Sequence, residues 1–339
     1  MDLPSWRMAV AYWRDGGRYP RATTSGDDDP YLRAATAMVA SLRRHVPDAA
    51  VEVHTNLTIE SAGVPELVAA GATLVPTPFE HRMPPGYFHK FSASTYAIDV
   101  LGALADRAAP DEVSLLIDPD VVWLRHPGPL LRQAGDAGLV CYPIPYPPDF
   151  VDLGLTRRQL SDLAVEMTGR PVEGGGLIAH LGGELLGGTS QHLRRFADTC
   201  GTLWDKSIDR FNRGTAPWLH TEEHVYSVAF HELGHGPANT TDAMRRVWTR
   251  PGRLRNARRD DLDRVAWHAL SEKGRGLDLL YHDHLHATGA FDPTISDDEF
   301  RRRAARHLSI RPTLRDRATF AASRVKARRR GYRCVPMPG

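Results

Sequence analysis

The sequence predicts an α/β sandwich, a mostly parallel sheet covered by helices on both faces. Short apolar or alternating runs at residues 8–13, 51–53, 73–76 and 113–117 are separated by longer segments, several of helical periodicity. The run 113–117 (VSLLI) reads as a strand buried on both faces. It ends at Asp118-Pro119-Asp120, and in such sheets ligands sit beyond the carboxyl ends of the strands.

Taken in order, residues 8–13 form the first strand and the Gly/Asp-rich residues 15–29 a loop. Asp29-Pro30 starts a helix in which Leu32, Ala35, Met38, Val39, Leu42 and Val46 recur at helical spacing, until Pro47 ends it. Val51 and Val53 alternate with Glu52 and His54 in a second strand, and residues 73–76 make a third. After a Pro-rich loop, a helix is expected from Phe88 to Ala105, carrying Lys90. Residues 138–142 read as a strand and 156–168 as a helix. The segment 173–189 (EGGGLIAHLGGELLGGT) packs seven glycines into a turn-like stretch, a density that permits close backbone approach to a ligand or marks tight turns. A long helix follows from Ser190, with Leu193, Phe196, Ala197, Cys200, Leu203 and Trp204 on one face. Trp218 and HTEEH (220–224) open the next helix, with Thr221 as its N-cap. Residues 237–276 show no assignable pattern. Phe300, Ala304 and Leu308, then Leu314, Ala318, Ala321 and Val325, have amphipathic spacing up to Gly331.

The 339 residues, 42% hydrophobic and 25% charged, suit an ordinary globular protein of one large or two modest domains. No apolar run approaches the ~20 residues of a membrane span, and residues 1–10 do not read as a signal peptide, so a cytoplasmic location is expected. Cys141, Cys200 and Cys334 fit neither a disulfide framework nor a zinc spacing. The Ala/Arg/Gly-rich composition suggests a GC-rich bacterial genome.

Asp118 and Asp120 lie two apart, on one side of an extended chain, and Pro119 marks the strand's end. Two hard oxygen ligands at a strand terminus can hold Mn²⁺ or Mg²⁺ with positions left for phosphate oxygens. A polar strand exit is the plainer alternative.

The order LLIDPDVVWLRH, LGGELLGGT, WLHTEEH resembles the family 6 glycosyltransferases, the blood-group A/B and α1,3-galactosyltransferase relatives with a GT-A (nucleotide-diphospho-sugar transferase) fold. The resemblance covers about residues 113–233. It implies transfer of a hexose from a UDP-sugar to an acceptor with retention of configuration, with Asp118 and Asp120 binding Mn²⁺ (or Mg²⁺) against the donor diphosphate. Lys90 would add a charge there, or is a surface lysine. Tyr12 or Trp13 would stack on the uracil, or are core aromatics. Leu181 and Gly183 match the positions that choose between galactose and a 2-acetamido hexose, with Gly182 between them, and glycine leaves room for the acetamido group. Glu222 matches the carboxylate that stabilises or attacks the anomeric centre. Trp218, His220 and Glu223 fall at substrate-contacting positions. Two departures are Thr221, where the family has a donor-contacting Asp, and Glu223, where it has Ser.

His286-x-x-Gly289 followed by Pro293 is similar to the HxxGxxKP element of glycogenin-like GT-A enzymes, which makes His286, and after it His284, a candidate third metal ligand; Asp292 replaces that element's lysine. The expected organisation is a catalytic domain over residues 1–300, with a nucleotide-binding half to about 125 and an acceptor-binding half from 126, then a basic helical tail over 301–339. Residues 301–333 hold 13 of the 43 Lys+Arg and one acid, Asp316. Such a tail can close over a nucleotide, touch an anionic membrane surface or lie solvated; no nucleic-acid signature accompanies it. A competing function is a zinc metallohydrolase, since residues 231–235 spell HELGH, the HExxH pattern.

Overall fold

A computed structural model describes residues 5–14, 29–236, 240–249, 256–258 and 260–310. The first strand, β1 (Trp6–Tyr12), alternates faces: Met8, Val10 and Tyr12 pack on one side of the sheet and Ala9 on the other. Helix α1 (Pro30–His45) follows, and its start is fixed as the sequence reads: the Asp29 side chain accepts from Tyr31 N and Leu32 N, with Pro30 in the first turn. Next come β2 (Val51–Thr55), α2 (Val64–Ala69) and β3 (Ala72–Pro76). Helix α3 (Tyr96–Arg107) leads to β4 (Val113–Ile117), which is buried throughout.

Helix α3 begins eight residues later than expected, because Phe91 holds φ +53°, a left-handed conformation that no α-helix accommodates. Lys90 therefore lies on an irregular segment before the helix.

After β4 the chain makes β5 (Val121–Trp123), α4 (Gly128–Ala137), β6 (Leu139–Ile144), a hairpin of β7 (Val151–Asp152) and β8 (Leu155–Thr156), and α5 (Arg157–Thr168). Then come β9 (His180–Thr189), α6 (Ser190–Asn212) and α7 (Glu222–Leu233). The described chain ends with β10 (Met244–Arg246), β11 (Ala266–His268), α8 (Gly276–Leu285) and α9 (Asp297–His307). The main sheet has the order β3-β2-β1-β4-β9-β6. β1 to β4 run parallel, and β9 runs antiparallel to both its neighbours. A mostly parallel sheet is thus confirmed at this level.

The glycine-rich LGGELLGG lies in β9, an interior strand of the sheet, and not in a turn. Its glycines leave space that neighbours fill: a Cβ on Gly187 would fall 2.3 Å from Leu115 Cδ2, and one on Gly188 2.3 Å from Gly138 O. α3, α5, α6 and α7 cover one face of the sheet, and α1, α2 and α4 the other. A third apolar cluster joins α1 to β5, β11, α8 and α9 through Trp267, Leu277, Leu280, Phe300 and Leu308. Each such buried side chain contributes about 1.5–3 kcal/mol.

α9 runs through the expected domain boundary at 300/301 and buries Phe300, Ala304 and Ala305, so the start of the basic tail is part of the globular core. Residues 311–339 lie outside the described residues, as does Cys334. Among the described residues, no helix is long and apolar enough to cross a membrane.

Candidate functional site

A cleft of about 520 Å³ opens where β1 and β4 end, bounded by the β4–β5 turn, the 88–94 segment and the first turn of α7. Strand pairing builds its floor. β5 is antiparallel to β11 with Val121 opposite His268, and Ala269 N donates to Asp120 O at 3.0 Å. That register carries the His268 ring to the DPD turn. His268 Nε2 lies 3.2 Å from Asp118 Oδ2 and 3.1 Å from Asp120 Oδ1. Asp120 and His268 are buried, whereas the Asp118 side chain is 41% exposed. Lys273 pairs with Asp120 and sits over the Tyr31 ring at 5.0 Å.

A chain of buried charges continues from this floor. Glu184, fully buried on β9, accepts from Arg246 Nε and Nη2 at 2.6 Å each and faces His268 Nδ1 at 3.4 Å. Its carbonyl accepts from Asp118 N at 3.2 Å, which pins the DPD turn to β9. Arg246 also donates to Glu223 Oε1 at 2.7 Å, and His180 Nε2 lies 3.7 Å from Glu223 Oε2 and 3.2 Å from Asp152 Oδ2. Gly182 makes this packing possible, since a Cβ there would stand 1.9 Å from Glu184 Oε2 and 2.9 Å from Arg246 Nη2.

The electrostatics follow. Burial opposes the charge on Asp120, but Lys273 and His268 overcome it and hold the carboxyl well below its ordinary range. Burial likewise opposes charge on His268, yet Asp120 and Glu184 raise its pKa well above that of a free imidazole. Glu223 is held far down by Arg246 and His180 despite its burial. Its neighbour goes the other way. Glu222, at the start of α7, is pushed up to about 8, first by burial and then by the Glu223 charge. Glu222 Oε2 finds no hydrogen-bond partner among the described residues.

Among the described residues, two groups can hold a cation. Asp118, Asp120 and His268 offer one ligand atom each within 4.8 Å of one another, and so do Asp152, His180 and Glu223. Two carboxylate oxygens and an imidazole nitrogen, with Asp118 open to the cleft, suit a divalent ion such as Mn²⁺ or Mg²⁺. In the second group Arg246 and Gly183 N also hold Glu223 Oε1, and against its burial the His180 pKa is raised by Asp152 and Glu223.

No protein-family model matches the chain, and no curated protein matches it. Among solved structures it is similar to a crystal structure of the galactosyltransferase LgtC in complex with donor and acceptor sugar analogs. The match is 15% identical and covers 70% of this chain and 75% of that chain, with a TM-score of 0.44. Membership of the family 6 glycosyltransferases is not among these findings.

The sequence candidates divide into three groups. Tyr12, Trp13, Lys90, Asp118, Asp120, Gly183, Glu222 and Glu223 all line the cleft. Leu181, Gly182, Trp218 and His220 do not. Leu181 packs wholly buried in the core under α7, and Gly182 is filled by Glu184 and Arg246. Trp218 packs on Tyr87 and Phe211 and donates to Tyr87 O at 3.3 Å. His220 sits behind the cleft wall, stacked on Phe88 at 4.6 Å with Nδ1 2.6 Å from Leu153 O.

His286 is a correction. It is an exposed residue at the end of α8 that neither lines the cleft nor joins a cation-holding group; His268 takes that place. His284 points to Phe291 instead, with ring centroids 5.4 Å apart. Thr221 stands at the N-cap of α7, but its hydroxyl makes no capping bond. The HELGH alternative also fails on geometry. α7 stops at Leu233 and Gly234 turns left-handed, so His231 and His235 do not face one ion from a shared helical turn; His231 Nε2 is 2.8 Å from Arg170 O.

Reading the sequence missed His268, Glu184, Arg246 and Lys273. The signal for His268 was a five-residue stretch, VAWHA (265–269), in a segment with no longer pattern.

Proposed function

We propose that the chain is a GT-A-type, metal-dependent glycosyltransferase that moves a hexose, galactose or a 2-acetamido hexose, from a UDP-sugar to an acceptor with retention of configuration. The observation that carries this reading is the meeting of Asp118, Asp120, His268 and Lys273 on the floor of a cleft whose other wall presents Glu222.

In this reading Asp118, Asp120 and His268 hold Mn²⁺ or Mg²⁺, which when bound acts as a Lewis acid on the departing diphosphate. Lys273 and Lys90 supply point charges to the phosphates. Trp13 is the base platform: its ring packs edge-on to Phe79 and Tyr96, with Arg82 over it at 4.7 Å, while the Tyr12 hydroxyl is tied to Asp29. Glu222 faces the reacting carbon. Burial and the Glu223 charge favour its protonated form at neutral pH. Positive charge developing at an anomeric carbon favours its ionised form, which then stabilises or attacks that carbon. Arg246 and His180 keep Glu223 ionised and fixed, so that Glu222 is the carboxyl of the pair that carries the proton.

The test is a thermal-shift panel of UDP, GDP, dTDP and three UDP-hexoses, each with and without Mn²⁺. The reading expects a shift for uridine nucleotides that requires the metal. Absence of any nucleotide shift would remove it.

A further inference from the structure

A second cavity, of about 400 Å³, lies behind the cleft and shares Tyr146, Arg246 and Trp248 with it as a common wall. Four arginines line it: Arg157, Arg245, Arg246 and Arg264. Three have carboxylate partners. Arg246 is held by Glu184 and Glu223, Arg245 by Asp261 at 3.0 Å, and Arg264 by Asp242 at 3.3 Å.

Arg157 is different. Its guanidinium meets only carbonyls, Ile178 O at 2.8 Å, Tyr146 O at 3.3 Å and Leu177 O at 3.4 Å, and no acid pairs with it among the described residues. Three of its five N–H groups are used there, leaving two. Burial disfavours its charge and no counter-ion compensates. Trp248 Nε1 and Arg264 Nε in the lining also have no hydrogen-bond partner among the described residues, and the same holds for Arg245 Nε and His180 Nε2, whose side chains face carboxylates. The carboxylate in the lining, Asp242, is 83% exposed and already on Arg264. A cavity that offers unused donors and an uncompensated cation calls for a compact anion with several acceptor oxygens.

We propose that this cavity is a phosphoryl-binding site, with Arg157 as its central cation and Arg264 and Trp248 completing it. A phosphate ester seated there has its organic part against the wall shared with the cleft. Resting on the glycosyltransferase reading, that places a phosphorylated acceptor, or free phosphate as an ion, beside the transfer site.

The experiment is isothermal titration of the protein with phenyl phosphate and with inorganic phosphate, each repeated after UDP and Mn²⁺ have been added to saturation. Saturable binding that persists with UDP and Mn²⁺ present is expected, weakened about tenfold or more in Arg157→Gln and in Arg264→Gln. Tighter binding of phenyl phosphate assigns an ester, and equal binding assigns free phosphate. The site is overturned by no binding, by binding that UDP and Mn²⁺ abolish, or by unchanged affinity in both variants. If Arg157→Gln loses its fold with its three carbonyl contacts, Arg264→Gln decides alone. A protein that binds phosphate but no nucleotide removes the glycosyltransferase reading and leaves this site standing.

Discussion

Gly183 and Glu222 occupy one space: a side-chain carbon on Gly183 would stand 2.7 Å from Glu222 Oε1 and 3.5 Å from its Cδ. The absent side chain at 183 therefore makes room for a carboxyl of the protein itself. Gly183→Ala is expected to displace Glu222 and lower kcat about tenfold or more for every donor sugar alike, since small misplacements of reacting groups are costly. Turnover with UDP-galactose and UDP-N-acetylgalactosamine compares the two roles. Loss confined to the 2-acetamido donor would return Gly183 to the sizing role that the family resemblance implies.

The raised pKa of Glu222 also has a stability signature. The folded protein keeps this proton up to about pH 8, whereas the unfolded chain releases it near the ordinary glutamate value. Between those values the folded state binds more protons, so its stability falls as pH rises from about 4.5 to about 8. Glu222→Gln removes this dependence. The variant's melting temperature relative to the parent should rise steadily from pH 5 to pH 8, and a flat difference would mean that Glu222 is not buried as a neutral acid. In turnover, the same variant should fall by orders of magnitude while nucleotide binding persists.

How much of this was legible in the sequence depends on how far each signal extends along the chain. β1, β2, β3 and β4 were readable because each spans five or more residues rich in apolar and β-branched side chains. The α1 cap was readable because Asp29-Pro30 acts locally. β9 was misread because its glycines answer to contacts from Leu115, Gly138 and Glu184, which no local pattern reveals. β5, β10 and β11 have three residues each, too few to show a period, and they place His268 and Arg246. The carboxylates of the floor were thus visible as a motif, while their histidine, set by long-range pairing, was not.

The assignment of the third ligand makes a sharp comparison. Asp118→Asn and His268→Ala should each shift the Mn²⁺ concentration needed for thermal stabilisation upward by about tenfold or more, and His286→Ala should leave it unchanged. Asp118 is the carboxylate to choose because it is 41% exposed. Asp120→Ala would strand Lys273 and His268 without their shared counter-charge, at about 3–5 kcal/mol, and would confuse metal loss with unfolding. Equal effects from His268→Ala and His286→Ala would undo the assignment.

The basic tail can be tested only if the cut respects α9. Chain ending at Phe300 loses Ala304, Ala305, Leu308 and Ile310, all buried against α8 and its surroundings. Four small to medium apolar side chains lost from one cluster amount to several kcal/mol, a large share of a domain's net stability. A chain ending at Ile310 keeps them. Truncation after Phe300 is expected to lower the melting temperature by about 10 °C or more, and truncation after Ile310 by only a few degrees. Affinity for UDP with Mn²⁺ is then read on the Ile310 form. A tail that closes over the donor site makes that form bind UDP more weakly, with a smaller dependence on salt because fewer cations face the phosphates. Unchanged affinity and salt dependence would instead leave residues 311–339 with no part in holding the nucleotide.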